Sequence, residues 1–147
     1  MKSCLILTGG KLNLAFARSF LEKEHFDKVI AVDGGLESAE ALGITPDYIV
    51  GDFDTVSGEV VERFRNLPFI VWEQHKPEKN ETDTELARSR ALTLGCEKLV
   101  FLGATGGRLD HMLGNLHALY ACLEKGIDAS LVDTQNRIYL LDQGKTF

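Results

Sequence analysis

The sequence is poor in cysteine and proline, and it contains no long apolar run. Three cysteines among 147 residues, with no Cys-x-x-Cys spacing, favour free thiols in a reducing cytoplasm over a disulfide framework or a structural zinc site. No apolar stretch approaches the roughly 18 residues that span a membrane, and the one near the N-terminus is too short for a signal peptide. We therefore expect a cytoplasmic protein with no membrane association.

The sequence also has fewer basic residues than acidic ones. Sixteen lysines and arginines against 22 aspartates and glutamates give a formal net charge of −6, which argues against a nucleic-acid partner because such proteins need a basic surface. The sequence has no Gly-x-x-x-x-Gly-Lys-Ser/Thr loop, and residues 8–13 lack the third glycine of the dinucleotide fingerprint. Neither of these two nucleotide-binding motifs is therefore present.

Glycine, by contrast, is abundant, and many of the 14 glycines follow short apolar runs. Runs rich in β-branched residues predict strands at residues 4–7, 29–32, 48–50, 69–72, 99–102 and 129–132. Helical spacing is clearest over residues 109–123, which precede Gly126. A second helix is predicted over residues 82–94, which start with a capping-box sequence at 82–85 and precede Gly95. Ser57 is placed to cap a further short helix.

Strands that are apolar on both faces and alternate with helices predict a parallel sheet covered on both sides. The expected fold class is therefore α/β, with a doubly wound parallel sheet of Rossmann-like type over residues 1–134. Residues 136–141 read as another strand, too close to the preceding one for a helical crossover. We predict that residues 135–147 are the beginning of a truncated β domain.

Five of the ten aspartates follow predicted strands and so fall on the carboxyl edge of the sheet, where ligands bind in this fold class. They are Asp33, Asp52, Asp54, Asp83 and Asp110. Clustered carboxylates repel one another and raise each other's pKa unless a cation compensates. Ligands that are all oxygen favour Mg²⁺ over zinc or copper.

A glycine-rich turn at residues 103–107 runs into a predicted helix and exposes backbone N–H groups, beside the fixed positive charge of Arg108. Anion donors next to acidic metal ligands predict a metal-bound polyphosphate such as Mg-ATP. Structural interpretations remain open at this point. Asp83 also suits a helix N-terminus, Asp33 a turn, and Arg108 with Asp110 an ion pair at the start of a helix.

Four motifs in order carry a family resemblance. They are Val-Asp-Gly-Gly at residues 32–35, Gly-Asp-Phe-Asp-Thr at 51–55, Lys-Asn-Glu-Thr-Asp at 79–83, and Gly-Ala-Thr-Gly-Gly-Arg-Leu-Asp-His at 103–111, followed by Asn115. Together they resemble the ordered motif set of the thiamine pyrophosphokinase family, and the resemblance extends over nearly the whole chain. The resemblance implies a Mg²⁺-dependent homodimeric transferase that moves the pyrophosphoryl group of ATP to the hydroxyl of thiamine, giving thiamine diphosphate and AMP.

The resemblance also implies roles for individual residues. The metal ligands would be Asp52, Asp54 and Asp83, and Asp83 would also orient or deprotonate the thiamine hydroxyl. Nucleotide contacts would come from two turns, namely Asp33, Gly34 and Gly35 and then Thr105, Gly106, Gly107 and Arg108. Asp110 would complete the catalytic set with Asp52, Asp54 and Asp83.

Two departures from the family pattern stand out. The resemblance implies an aspartate at the position of Asn80, and it implies that residues 136–147 are only the opening of the family's thiamine-binding β-sandwich domain.

Two other functions are compatible with parts of the sequence. Asp52-Phe53-Asp54-Thr55 matches the Asp-x-Asp-x-Thr loop of haloacid-dehalogenase-like phosphatases, in which Asp52 would be the nucleophile and Asp54 the acid. Against this, the loop follows the third predicted strand, and no later Gly-Asp-x-x-x-Asp element appears. The second alternative is a nucleotide-binding module without catalytic activity.

Overall fold

A computed structural model describes residues 2–51, 58–74, 83–104 and 109–140. Strands in these ranges are β1 (Ser3–Leu7), β2 (Lys28–Val32), β3 (Tyr48–Gly51), β4 (Val71–Gln74), β5 (Lys98–Leu102), β6 (Asp128–Val132) and β7 (Arg137–Ile138). Helices are α1 (Leu14–Lys23), α2 (Gly35–Leu42), α3 (Gly58–Arg65), α4 (Asp83–Thr93) and α5 (Leu109–Glu124). Strands and helices alternate up to β6, as the sequence predicted.

The described strands form one sheet in the order β4-β3-β2-β1-β5-β6-β7. All neighbours pair in parallel except β7, which runs antiparallel to β6. The chain builds outward from β1 to β4 and then returns to place β5 beside β1. The direction of winding therefore changes between β1 and β5. The predicted α/β class is confirmed, with a sheet that is mostly parallel.

Alternate residues of β1 face opposite cores, which explains why the strand is continuously apolar. Cys4 and Ile6 belong to a cluster with buried residues of α4 and α5, whereas Leu5 and Leu7 pack with buried residues of α1, α2 and α3. All four side chains are almost completely buried. Helices therefore cover both faces of the sheet, as expected for a parallel sheet.

Two aspartates outside the predicted site fasten the amino edge of the sheet. The Asp27 carboxylate accepts hydrogen bonds from the backbone N–H and the hydroxyl of Ser3, at 2.9 and 3.3 Å, and these bonds lower the pKa of Asp27. Asp47 Oδ2 accepts from the Val29 N–H at 2.8 Å. Both carboxylates satisfy strand-end donors and so act in folding.

The fourth strand is shifted from its predicted position at residues 69–72. β4 begins at Val71, because Val71 pairs with Tyr48 and its N–H donates to the Asp47 carbonyl at 3.0 Å. Phe69 lies in the preceding turn and is 91% exposed. The apolar run extended over this turn, and only strand pairing decided which residues joined the sheet.

The predicted strand at residues 136–141 is shorter in the structure. Among its described residues, 136–140, only Arg137 and Ile138 pair with β6, and residues 141–147 lie outside the described ranges. The predicted second domain over residues 135–147 therefore stays a prediction.

The three cysteines, Cys4, Cys96 and Cys122, are free and buried. Burial raises the pKa of each thiol, that of Cys122 to about 11. None of the described helices is long and apolar enough to cross a membrane.

Candidate active site

The turns after β1 and β2 lie against each other at the carboxyl edge of the sheet. A Cβ atom added at Gly34 would be 3.1 Å from the Gly9 Cα, and one added at Gly35 would collide with the Leu7 carbonyl oxygen. Side chains at these positions would force the two backbones apart. Glycine is therefore required here for close backbone approach, and this packing leaves backbone on the surface of the edge.

The turn after β5 joins the same edge from the other side of β1. The Thr8 N–H donates to the Leu102 carbonyl at 2.9 Å. Gly103 has a φ of 78°, and a Cβ atom there would lie 2.6 Å from the Thr8 carbonyl oxygen. Since the winding direction changes between β1 and β5, Gly103 stands at the point where open α/β sheets bind ligands.

Asp33 has a strained backbone and a defined position beside β3. Its φ is 46°, which is uncommon for a residue other than glycine, and its N–H donates to the Val50 carbonyl at 2.9 Å. A Cβ atom added at Gly51, whose φ is 138°, would collide with Asp33 Oδ1. The Asp33 carboxylate therefore lies over Gly51, the last residue of β3. Gly51 directly precedes Asp52 in the sequence. Strain of this kind tends to be retained where function requires it.

α4 is tied to the sheet by an ion pair. The Arg90 guanidinium donates to both carboxylate oxygens of Glu73 on β4, at 2.8 and 2.7 Å, and lies 5.7 Å from the Tyr48 ring centroid. The hydrogen bonds to Glu73 raise the pKa of Arg90. Because β4 and β5 are parallel, the helix between them begins at the carboxyl edge, which places the backbone of Asp83 there.

Asn115 is a buried polar residue that follows the motif at residues 103–111 and had no predicted role. Its Nδ2 donates to the Ala104 carbonyl at 2.8 Å, and only 8% of the residue is exposed. It stands three, four and seven residues before Ala118, Leu119 and Cys122, on the buried side of α5. A polar side chain on a buried helix face needs a hydrogen-bond partner. An asparagine among the apolar positions of this helix was therefore the sequence signal that could have indicated such a bond. The bond fastens the beginning of the glycine-rich turn to α5.

Part of the predicted site lies on the described elements of the structure. The carboxyl edge contains Asp33, Gly34 and Gly35. Asp83 is the first residue of α4, and Asp110 is the second residue of α5. The remaining predicted residues lie outside the described ranges, namely Asp52, Asp54, Thr105, Gly106, Gly107 and Arg108. Within the described ranges there is no cluster of three or more His, Cys, Asp or Glu residues that could hold a metal ion.

The bond from Asn115 permits a direct test. We expect Asn115→Asp to lower the free energy of unfolding by about 1–3 kcal/mol, because a carboxylate cannot donate to the Ala104 carbonyl. Urea unfolding measures this change. Replacing the exposed His117 of the same helix with alanine should change stability by no more than about 0.5 kcal/mol. Equal urea midpoints for Asn115→Asp and the unsubstituted protein would contradict the assigned bond.

Comparisons with known proteins agree on one family. The family described as thiamin pyrophosphokinase, catalytic domain, matches residues 21–131. Thiamine pyrophosphokinase from Bacillus subtilis is 33% identical over 145 residues, which are 99% of this chain and 67% of that protein. Thiamine pyrophosphokinase 1 from Arabidopsis thaliana is 35% identical over 117 residues, covering 66% of this chain and 44% of the relative.

Solved structures give the same result. The crystal structure of thiamine pyrophosphokinase from Bacillus subtilis superposes with a TM-score of 0.79 and 32% identity, covering 94% of this chain and 63% of that chain. Thiamin pyrophosphokinase from Candida albicans, at 18% identity and a TM-score of 0.68, shares the fold. This chain thus spans about two thirds or less of the length of these proteins. The chain belongs to the thiamine pyrophosphokinase family. This is shown by the match to the family over residues 21–131 and by the 33% identity to the Bacillus subtilis protein over 99% of this chain.

Proposed function

We propose that this chain transfers the pyrophosphoryl group of Mg-ATP to the hydroxyl of thiamine, with thiamine diphosphate and AMP as products. Family membership supports the reaction. The observation that carries the placement of the site is the contact of the Asp33 carboxylate with Gly51 at the carboxyl edge. The haloacid-dehalogenase-like alternative gains no support, since the sequence relatives and structures described above are thiamine pyrophosphokinases.

One described carboxylate supports a magnesium ion at this edge. The contact between Asp33 and Gly51 brings one carboxylate to the residue that directly precedes Asp52-Phe53-Asp54, and carboxylate oxygens are the ligands Mg²⁺ prefers. Asp52, Asp54 and Asp83 would hold the ion. When bound, it would neutralise the phosphate oxygens of ATP, which is the largest electrostatic requirement of phosphoryl transfer.

The chain's own groups would position the two substrates. The N–H groups of residues 105–107 and the Arg108 guanidinium would bind phosphate oxygens, at a turn whose first residues Asn115 fastens to α5. In the reaction, the thiamine oxygen bonds to the β-phosphorus while the bond from that phosphorus to the α,β-bridging oxygen breaks, releasing AMP. Asp83 would accept the hydroxyl proton, and Asp110 would complete the acidic pocket.

The assembly and setting belong to the same proposal. The strand order, with its change of winding between β1 and β5, supports a Rossmann-like use of the carboxyl edge for the nucleotide. Residues 1–134 would form the ATP-binding domain, and residues 135–147 would begin a β domain that contributes to thiamine binding. We further propose a homodimer that works in the cytoplasm.

Adding Mg²⁺ and ATP together should stabilise the protein more than either alone. A ligand that binds only the folded state adds about 2.7 kcal/mol at a hundredfold excess over its Kd. Without the metal, the acidic edge repels the phosphates, and without phosphates the metal lacks part of its ligand set. Thermal melts with and without a chelator measure the difference. Equal stabilisation by ATP in both conditions would rule out the metal site.

A further inference from the structure

The helix α4 packs on the sheet through small side chains. Among residues 84–93, whose burial the structure describes, the two buried side chains are Ala87 and Ala91, one turn apart. Methyl groups interlock little with their neighbours, so this packing restrains rotation and sliding of the helix only weakly. Just beyond the far end of the helix, Lys2 Nζ donates to the Leu94 carbonyl at 2.7 Å. The position of the beginning of α4 therefore depends on directional bonds made along the helix.

The ion pair between Arg90 and Glu73 supplies such bonds. Its two parallel hydrogen bonds hold the planar guanidinium in one orientation, which a single bond would not do. Val50 pairs with Glu73, and Tyr48 lies two residues before Val50, so the Tyr48 ring and the Glu73 carboxylate are on the same face of the sheet. The guanidinium is thus held by the two neighbouring strands β3 and β4 at once.

On the sheet, this ion pair lies next to the carboxyl end of β3. Glu73 is opposite Val50, whose carbonyl accepts the Asp33 N–H. The next residue of β3 is Gly51, which directly precedes Asp52. The carboxylate that holds Arg90 is therefore one residue along the sheet from the point where the first proposed metal ligands follow β3.

On the helix, the same ion pair fixes the segment that begins with Asp83. Arg90 is seven residues after Asp83, which is two turns and about 10 Å along the helix axis, on the same side of the helix. Rotation or sliding of α4 at Arg90 would therefore move the backbone of Asp83 with it. The ion pair joins the two segments that carry the proposed metal ligands.

We propose that Arg90 and Glu73 are positioning residues for the proposed reaction, an inference that rests on the proposed function. Their ion pair sets the distance between the beginning of α4, which carries Asp83, and the end of β3, which Asp52 follows. Neither side chain is assigned a contact with a substrate. A displacement of about 1 Å at a reacting group can reduce a rate by about two orders of magnitude, so a pair that acts only through position can have a large effect.

Two variants break the ion pair from either side. Glu73→Gln keeps the size of the side chain but cannot accept both guanidinium bonds, and Arg90→Ala removes the guanidinium. Thermal melts at saturating ATP, over a series of free Mg²⁺ concentrations, measure metal binding without catalysis. In both variants the Mg²⁺ concentration at half of the ATP-dependent rise in Tm should increase about tenfold. The kcat for AMP formation should fall at least about tenfold, while KM for ATP at saturating Mg²⁺ should change less than about twofold.

Glu24→Gln is the matched control. Glu24 follows α1 and accepts from Lys98 Nζ and the Arg137 guanidinium at 3.3 and 3.2 Å. The side chains of Glu24 and Glu73 are both 27% exposed, but Lys98 is the first residue of β5, at the amino edge of the sheet. This variant should lower Tm about as much as Glu73→Gln and leave both the Mg²⁺ midpoint and kcat unchanged.

The double variant Glu73→Gln/Arg90→Ala tests whether the two residues act through one contact. Its loss of kcat should be no larger than that of Arg90→Ala alone, because residues that share one interaction are not additive. Losses that multiply would overturn the proposal.

The remaining outcomes separate a positioning role from a structural one. A lower Tm with unchanged Mg²⁺ midpoint and kcat in the Glu73 and Arg90 variants overturns the proposal, as does an equal change of the midpoint in Glu24→Gln. In either case the proposed function stands. If the unsubstituted protein shows neither Mg²⁺-dependent stabilisation by ATP nor AMP formation, the proposed function fails and this inference fails with it.

Discussion

Replacing Asp52 or Asp54 with asparagine is expected to reduce pyrophosphoryl transfer by about three orders of magnitude while leaving the fold intact. An amide keeps the size of the carboxylate but cannot neutralise Mg²⁺. Removing one charge also relieves repulsion at the acidic edge, so that stability should be unchanged or slightly higher. Formation of AMP from ATP and thiamine measures the transfer, and thermal melts measure stability.

The matched control is Asp128→Asn, because Asp128 is exposed at the opposite edge of the sheet. This variant should retain full transfer activity. Arg108→Ala should weaken ATP binding and leave metal binding largely intact, since the guanidinium meets phosphate charge. If the asparagine variants were strongly destabilised yet still bound Mg-ATP normally, these aspartates would be structural and the site would lie elsewhere.

Gly35→Ala is expected to lower the free energy of unfolding by about 3 kcal/mol. The added methyl group would collide with the Leu7 carbonyl oxygen, which belongs to a central strand and has no rotamer with which to move away. For a domain of this size, that loss corresponds to a fall in Tm of about 10 °C. Differential scanning calorimetry gives both quantities.

Gly114→Ala serves as the control for this prediction. Gly114 lies inside α5, and a Cβ atom there would meet nothing within 4 Å. Alanine in place of glycine within a helix should stabilise the protein by about 0.5–1 kcal/mol. Opposite changes in Tm for the two variants would establish that backbone contact, rather than loss of glycine as such, makes Gly35 necessary. A Gly35→Ala protein with unchanged Tm would contradict the close approach of Gly35, at the start of α2, to the end of β1.

Part of the candidate site was predictable because its signals are local. Aspartates and glycines directly after apolar runs identify the carboxyl ends of parallel strands, and Asp33-Gly34-Gly35 lies where that reasoning placed it. The role of Asn115 was missed because its partner, the Ala104 carbonyl, lies on a different element.

The sequence by itself determined the α/β class, the parallel arrangement and the position of most strands and helices, because periodicity and glycine turns act within a few residues. Only the tertiary structure decided the order of the strands, the register that moved β4 to Val71, and the contact between Asp33 and Gly51. These features depend on pairing and packing between segments far apart in the chain. The free energy of this pairing and packing depends on which surfaces meet, and a local sequence pattern does not specify which ones do.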